Sequence, residues 1–206
     1  PLWLIFEAYN LRLQNWTYVG LPENIFLRWL GYGWSFATIT PAILLTADFV
    51  AALGWFDRAA RPACTMRLSA TAERAMIAAG AAMLLVPLVL PQHIAAYLFA
   101  PVWLGFIFLL DPLNLRRGLP SLLGDLAAGR RARLYSLLVS GWVCAWLWEF
   151  WNWRAAAKWQ YVFPMFQSWK VFEMPAPGYL GFLPFALECF VLYVTAAALL
   201  GWRKDL

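Results

Sequence analysis

Two carboxylates stand where carboxylates are costly. Glu188 lies about ten residues into the last long apolar run of the sequence; at about 1.5 Å per residue this is roughly 15 Å in, near the middle of the hydrocarbon if the run crosses a bilayer. Asp48 lies at similar or greater depth in an earlier run, and the two acids follow Pro184 and Pro41 on nearly the same helical azimuth. Ionisable groups at that depth face a bundle interior or a cavity and mark substrate paths or proton relays. A neutral carboxylic acid in an apolar cavity can give a proton to a carbon–carbon double bond or hold a quinone carbonyl. The catalytic expectation therefore falls on Glu188, Asp48 and a third acid, Glu149. The structural alternative is an acid hydrogen-bonded to Thr38, Thr46 or a backbone carbonyl freed by the proline.

A second group of residues is marked by repetition. Glu7, Asn10, Arg12, Trp16, Tyr18 and Val19 line up with Glu149, Asn152, Arg154, Trp159, Tyr161 and Val162 if one residue is inserted in the second copy. Glu and Asn are three apart at the end of an apolar run in both copies, so they share a helix face. Glu7, Asn10, Asn152, Arg154, Trp159 and Tyr161 are thus expected to form a polar cluster under an aromatic roof that binds the polar end of a lipid-soluble molecule. Against this stands a purely structural role, in which the acids and amides cap helix ends and pair with Arg12 and Arg154. The tryptophans have a plain alternative too, as an interfacial belt or a subunit contact.

Composition says what must carry these groups. The 206 residues are 63% hydrophobic, 18% aromatic and only 13% charged, with a mean hydropathy of +0.62; soluble domains carry about 25% charge. An integral membrane protein is expected. The net charge of +5 sits at the ends of apolar runs, as loop anchors do, which argues against a nucleic-acid partner. A single histidine, His93, excludes a two-histidine haem site and argues against a zinc or di-iron centre, so no metal is expected. Ser-His-Asp catalysis lacks a suitable histidine, and no G-x-G-x-x-G or G-x-x-x-x-G-K-[ST] phosphate loop occurs. Cys64, Cys144 and Cys189 have no C-x-x-C spacing and imply no disulfide framework.

The expected architecture is all-α, a single polytopic domain over 1–206 with about six spans in two similarly oriented repeats. Repeat 1 covers about 1–56, a central helical hairpin about 73–111, and repeat 2 about 134–202. Pro1 to Tyr9 reads as the outgoing end of a first span whose beginning precedes the sequence. The segment 10–28 reads as a surface loop. Spans follow at Trp34 to Trp55, Ala75 to Leu90, Ile94 to Leu110, Leu134 to Trp151 and Tyr179 to Trp202, with a short surface helix over Leu119 to Ala128. The runs 75–90 and 94–110 are short enough that a re-entrant pair is the alternative. Lys and Arg number four and five in the loops after spans two and four, and two in the tail, against two, none and three in the other loops. The richer set belongs in the cytoplasm, which leaves both aromatic loops facing the periplasm of a bacterial inner membrane.

The order Trp159-Gln-Tyr161, Pro164, Gly181, Pro184 and Glu188, followed by an aromatic-rich apolar span, resembles the membrane lycopene cyclase domain and the related carotenoid hydratases. There a W-x-Y loop leads to a glycine and to a proline with adjacent acids at the head of a helix. Pro184-Phe-Ala-Leu-Glu188 stands here for that family's Pro-x-Glu-Glu, and the first copy has Pro41-Ala-Ile-Leu-Leu. The resemblance covers roughly Glu149 to Tyr193, and more weakly Glu7 to Asp48, and implies a cavity for a long isoprenoid, a carotenoid or a quinone, with Glu188 as proton donor. The competing expectation is a non-catalytic accessory subunit of a larger photosynthetic or respiratory complex, in contact with membrane lipids and docked through its tryptophan-rich loops.

Overall fold

In the computed structural model, residues 2–57 and 68–202 are described. Arg58, Arg61, Cys64 and Arg67 of the first basic loop, and Arg203 and Lys204 of the tail, lie outside them.

The chain is a helical membrane protein. Helices α1 (Leu4–Leu13), α2 (Ile25–Ala52), α3 (Ala70–Val89), α4 (Gln92–Ala95), α5 (Phe99–Arg116), α6 (Leu122–Ala127), α7 (Ala132–Arg154) and α8 (Phe182–Leu199) account for most of it. Two small two-stranded sheets join them, β1 (Trp16–Val19) with β2 (Lys158–Tyr161) and β3 (Lys170–Val171) with β4 (Met174–Pro175). Among the described residues, four helical stretches are long and apolar enough to cross a membrane: α2, α3, α5, and Ala176–Leu199, which joins a 3-10 turn to α8. The α7 helix is as long but interrupts its apolar run with Arg133, Glu149 and Asn152. At ten residues, α1 is too short to cross a bilayer by itself.

The segment expected to be a loop over 10–28 is regular for most of its length, with 14–15 and 20–24 left irregular. It completes α1, forms β1 and starts α2 nine residues before Trp34. Asn24 supplies the start signal, since its side-chain oxygen accepts from the amides of Phe26 at 2.9 Å and Leu27 at 3.2 Å and so satisfies two of the orphan donors of a helix N-terminus. At 28 residues, α2 is about 42 Å long. Ser121 caps α6 in the same way, through the Gly124 amide at 3.0 Å.

Helices α3 and α5 form the expected hairpin, folded through α4, and their backbones nearly touch. A Cβ on Gly80 would come within 2.5 Å of the Leu109 amide nitrogen and 2.7 Å of the Gly105 carbonyl oxygen, the small-residue contact by which helices associate in lipid. At the centre stands α8, with Phe185, Ala186, Cys189, Val191 and Val194 buried against α5 and α7. By contrast α2 turns Phe26, Trp29, Leu30, Trp34, Leu45 and Phe49 outward, which suits a helix facing lipid.

Contacts assign the connections to two ends. At one end β1 pairs with β2, and Asn15 donates to the Ala96 carbonyl at 2.8 Å. Arg12 donates to the carbonyls of Leu88 and Leu90 at the end of α3. At the other end Arg116 pairs with Glu73 at 2.6 Å, and Asp125 is held at 2.8 Å by both Arg130 and Arg133.

Candidate functional site: an aromatic ribbon over two carboxylates

The site grows from the alternation of a strand. Successive side chains point to opposite faces, so Trp16 and Tyr18 share one face of β1, and Trp159 and Tyr161 share one face of β2. The antiparallel register sets Trp16 opposite Tyr161 and Tyr18 opposite Trp159, which brings all four rings to the same side. Thr17, between them, is exposed.

The same hydrogen bonds hold each strand to the helix before it. Asn10 Nδ2 donates to the Trp16 carbonyl at 2.8 Å and its Oδ1 accepts from the Trp16 amide at 3.1 Å. Asn152 does likewise with Trp159, at 2.9 and 3.0 Å. Oε1 of Glu7 accepts from the Trp16 indole at 3.2 Å and the Tyr18 hydroxyl at 2.6 Å. Oε1 of Glu149 accepts from the Trp159 indole at 3.1 Å and the Tyr161 hydroxyl at 2.8 Å. Burial, then the adjacent carboxylate, pushes both phenols above the ordinary tyrosine range, so each keeps its proton and donates it. A carboxylate under two aromatic donors fixes the roof's rings in place.

Against this roof lies a cavity of about 530 Å³ between the head of α2 and the end of α7, within the range of about 300–1,000 Å³ usual for small-molecule sites. Tyr18, Trp159, Tyr32, Trp148, Phe182 and Phe185 give it aromatic walls, and Arg28, Lys158 and Asn152 are its principal polar groups. Lys158 is paired with Glu173. A second, smaller cavity lies across the ribbon and shares Trp16, Trp103 and Tyr161 with the first. Gly181 makes room for Trp103 there: a Cβ would fall 1.7 Å from the Trp103 ring.

Of the residues singled out in the sequence, Glu7, Asn10, Glu149, Asn152, Trp159 and Tyr161 come together around the ribbon. Arg12 and Arg154 do not pair with the acids. Arg12 closes the end of α3, and Arg154 is exposed, its guanidinium 4.2 Å from the centre of the Trp153 ring; the acids' donors come from aromatics instead. Asp48 corrects a further expectation. It lies on the exposed side of α2, because azimuth relative to Pro41 says nothing about which side of the helix meets the bundle. Glu188 is fully buried and neither of its oxygens has a protein partner. Pro184 falls in the first turn of α8, where a missing N–H is tolerated, so it opens no gap beside Glu188. Glu188, Asp48 and Glu149 are not among the residues lining either cavity.

The sequence reading left out Trp103, Arg28, Lys158, Trp148, Phe182 and Phe185. In an apolar run a cavity-lining aromatic has the same surroundings as one facing lipid, so only three dimensions separate them. Among the described residues no group of three or more His, Cys, Asp or Glu is placed to hold a metal ion. These features define a polytopic helical membrane protein with a carboxylate-anchored aromatic ribbon over an apolar cavity. No protein family, characterised protein or solved structure matches the chain.

Proposed function

We propose that the chain binds a lipid-soluble isoprenoid, a carotenoid or a quinone, in the cavity under the ribbon. The carrying observation is the cavity itself, walled by aromatic rings whose positions are fixed by hydrogen bonds to Glu7 and Glu149. Rigid aromatic walls suit a flat conjugated ring, and the polar groups at Arg28, Asn152 and Lys158 suit its oxygen end.

The same proposal takes the chain to be six spans in two similarly oriented copies, α1 with α2 and α7 with α8. The recurring Glu, Asn, Trp and Tyr hydrogen bonds support it. So does the register, since a two-fold axis through the ribbon exchanges the pair Trp16 and Tyr161 with the pair Trp159 and Tyr18. In the sequence, eleven of the 16 basic residues fall in the stretches 58–74, 116–133 and 203–204, outside the segments that build the ribbon, and this distribution favours a ribbon facing the periplasm of a bacterial inner membrane. A cyclase- or hydratase-like reaction would assign Glu188 as proton donor. Its separation from the cavity favours binding without turnover, and Glu188→Gln tests this: unchanged conversion of an isoprenoid substrate would remove the catalytic role.

For the binding reading, the protein is purified from native membranes and its extract analysed by mass spectrometry. Near-stoichiometric carotenoid or quinone is expected. Gly31→Trp, on the cavity wall where an added Cβ meets nothing within 4 Å, should remove it. Equal recovery from both proteins overturns the reading.

One observation favours a second reading, an accessory subunit of a larger complex. Trp146, Phe150, Trp151, Trp153, Phe166 and Trp169 are exposed near the ribbon end, and clustered aromatics carry much of the energy of protein interfaces. Trp159 and Tyr161 turn into the roof, so Trp153→Ser and Trp169→Ser are the informative changes. Loss of co-purifying subunits in both would support docking there.

A further inference from the structure

The two cavities have a wall in common. Trp16, Trp103 and Tyr161 line both, and each also packs on a ring that lines only the first cavity and on one that lines only the second. Trp16 meets Trp3 of the first at 5.7 Å between ring centres and Phe99 of the second at 5.0 Å. Trp103 meets Phe182 and Phe185 of the first at 6.3 and 6.4 Å, and Phe99 of the second at 5.2 Å. Tyr161 accepts from the Trp159 indole at 3.1 Å and has the Phe163 ring 5.9 Å away.

Chemistry does not bar a hydrocarbon chain from the second cavity. It encloses about 360 Å³, and among the described residues no charged side chain lines it. A chain moving there from lipid exchanges one apolar surrounding for another, so only the bulk of the wall keeps it out. Trp16 and Tyr161 are pinned to Glu7 and Glu149 and belong to the ribbon. Trp103 comes from α5, and its Nε1 has no hydrogen-bond partner among the described residues; packing alone holds its ring. The first cavity has another outlet, because Gly31, Trp34, Ser35 and Thr38 on its α2 side are exposed.

We propose that Trp103 is the specificity-determining residue that decides where the ligand's chain runs: it closes the first cavity toward the second and sends the chain out along α2 into the bilayer. This rests on an isoprenoid occupying the first cavity. A smaller side chain at position 103 joins the two cavities into one elongated space, and the chain then runs past Gly181 toward Met174 and Phe163, which line only the second. Removing the Trp103 ring strands no polar partner, whereas removing Trp16 or Tyr161 deprives a carboxylate of a donor. Position 103 is therefore where the wall can be opened with the ribbon left intact.

Photolabelling of the detergent-solubilised full chain tests the assignment, with a ubiquinone whose farnesyl tail ends in a diazirine and with peptide mass spectrometry to locate the label. In the unaltered protein, labelling that excess unlabelled ubiquinone suppresses should fall on α2 around Ser35 and Thr38 and spare Met174 and Phe163. In Trp103→Ala it should shift to Met174 and Phe163, and Gly31→Trp added to that variant should abolish it, since the probe enters through the first cavity. Trp103→Leu leaves a smaller gap in the packing, should shift less of the label, and serves if the alanine protein does not fold. Suppressible labelling of Met174 or Phe163 in the unaltered protein overturns the role of Trp103. So does labelling that stays on α2 in the folded variants; both results spare the isoprenoid reading. Labelling that unlabelled ubiquinone suppresses nowhere would mean that the first cavity takes no quinone, defeating this inference together with the quinone form of that reading.

Discussion

Glu7 and Glu149 hold corresponding places under the ribbon, yet their surroundings differ. Glu7 is half-buried and takes a third donor on the same oxygen, the Trp3 indole at 2.6 Å. Glu149 is wholly buried, has Ala145 at the position matching Trp3, and leaves Oε2 without a partner. One carboxylate gathers three aromatic donors on a single oxygen; the other gathers two and keeps a buried oxygen unpartnered in a drier place. A motif that recurs in sequence can thus anchor the backbone equally in both copies while its acids are solvated differently.

The largest expected effect concerns whether the two clusters share a membrane face at all. In a Cys64→Ser background, Glu23→Cys and Ala156→Cys should both react with an impermeant thiol reagent in spheroplasts, and Arg117→Cys should not. Labelling of only one of the first two would place the clusters on opposite faces and end the comparison.

Next comes removal of each acid. Glu7→Leu strands three donors and should cost about 3 kcal/mol. Glu149→Leu strands two but also relieves a buried carboxylate, so about 1 kcal/mol is expected. Equilibrium unfolding in mixed micelles reads the difference, and equal losses would mean that the third donor has no energetic weight.

Asn10→Ala and Asn152→Ala sharpen the contrast in the backbone. Asn10 Oδ1 also accepts from the Asn15 amide at 2.8 Å, a bond the second copy lacks among the described contacts. Asn10→Ala should therefore be worse than Asn152→Ala by about 1 kcal/mol in the same assay. The smallest change, Trp3→Phe, makes the first cluster resemble the second and should cost about 1 kcal/mol or less.

The ribbon's anchors were legible in the sequence because Glu, Asn, Trp and Tyr at fixed spacing are polar groups that must find partners near a membrane. Helical spans were legible from apolar length. The early start of α2 was not, since 25–33 mixes aromatics with Arg28 and two glycines, and only the cap at Asn24 announces a helix. Depth along a span could be counted for Asp48 and Glu188 alike, but their opposite exposures depend on how α2 and α8 sit in the bundle. No local pattern reports that. The partners of Arg12 were hidden for a similar reason, being carbonyls about 76 residues further along the chain.

The β1 strand is made long before its partner. A ribosome must add about 140 residues after Trp16 before Tyr161 exists to face it, roughly 7 to 30 s at common synthesis rates of about 5–20 residues per second. Throughout that interval Trp16–Val19 is an open edge beside a nascent membrane segment, able to pair with any other extended chain it meets. Its shortness and the exposed Thr17 limit that hazard, and Asn10 can hold Trp16 through bonds that need nothing downstream. The closing of the ribbon is therefore a late event in biogenesis, and the main cavity has no complete wall until it has happened.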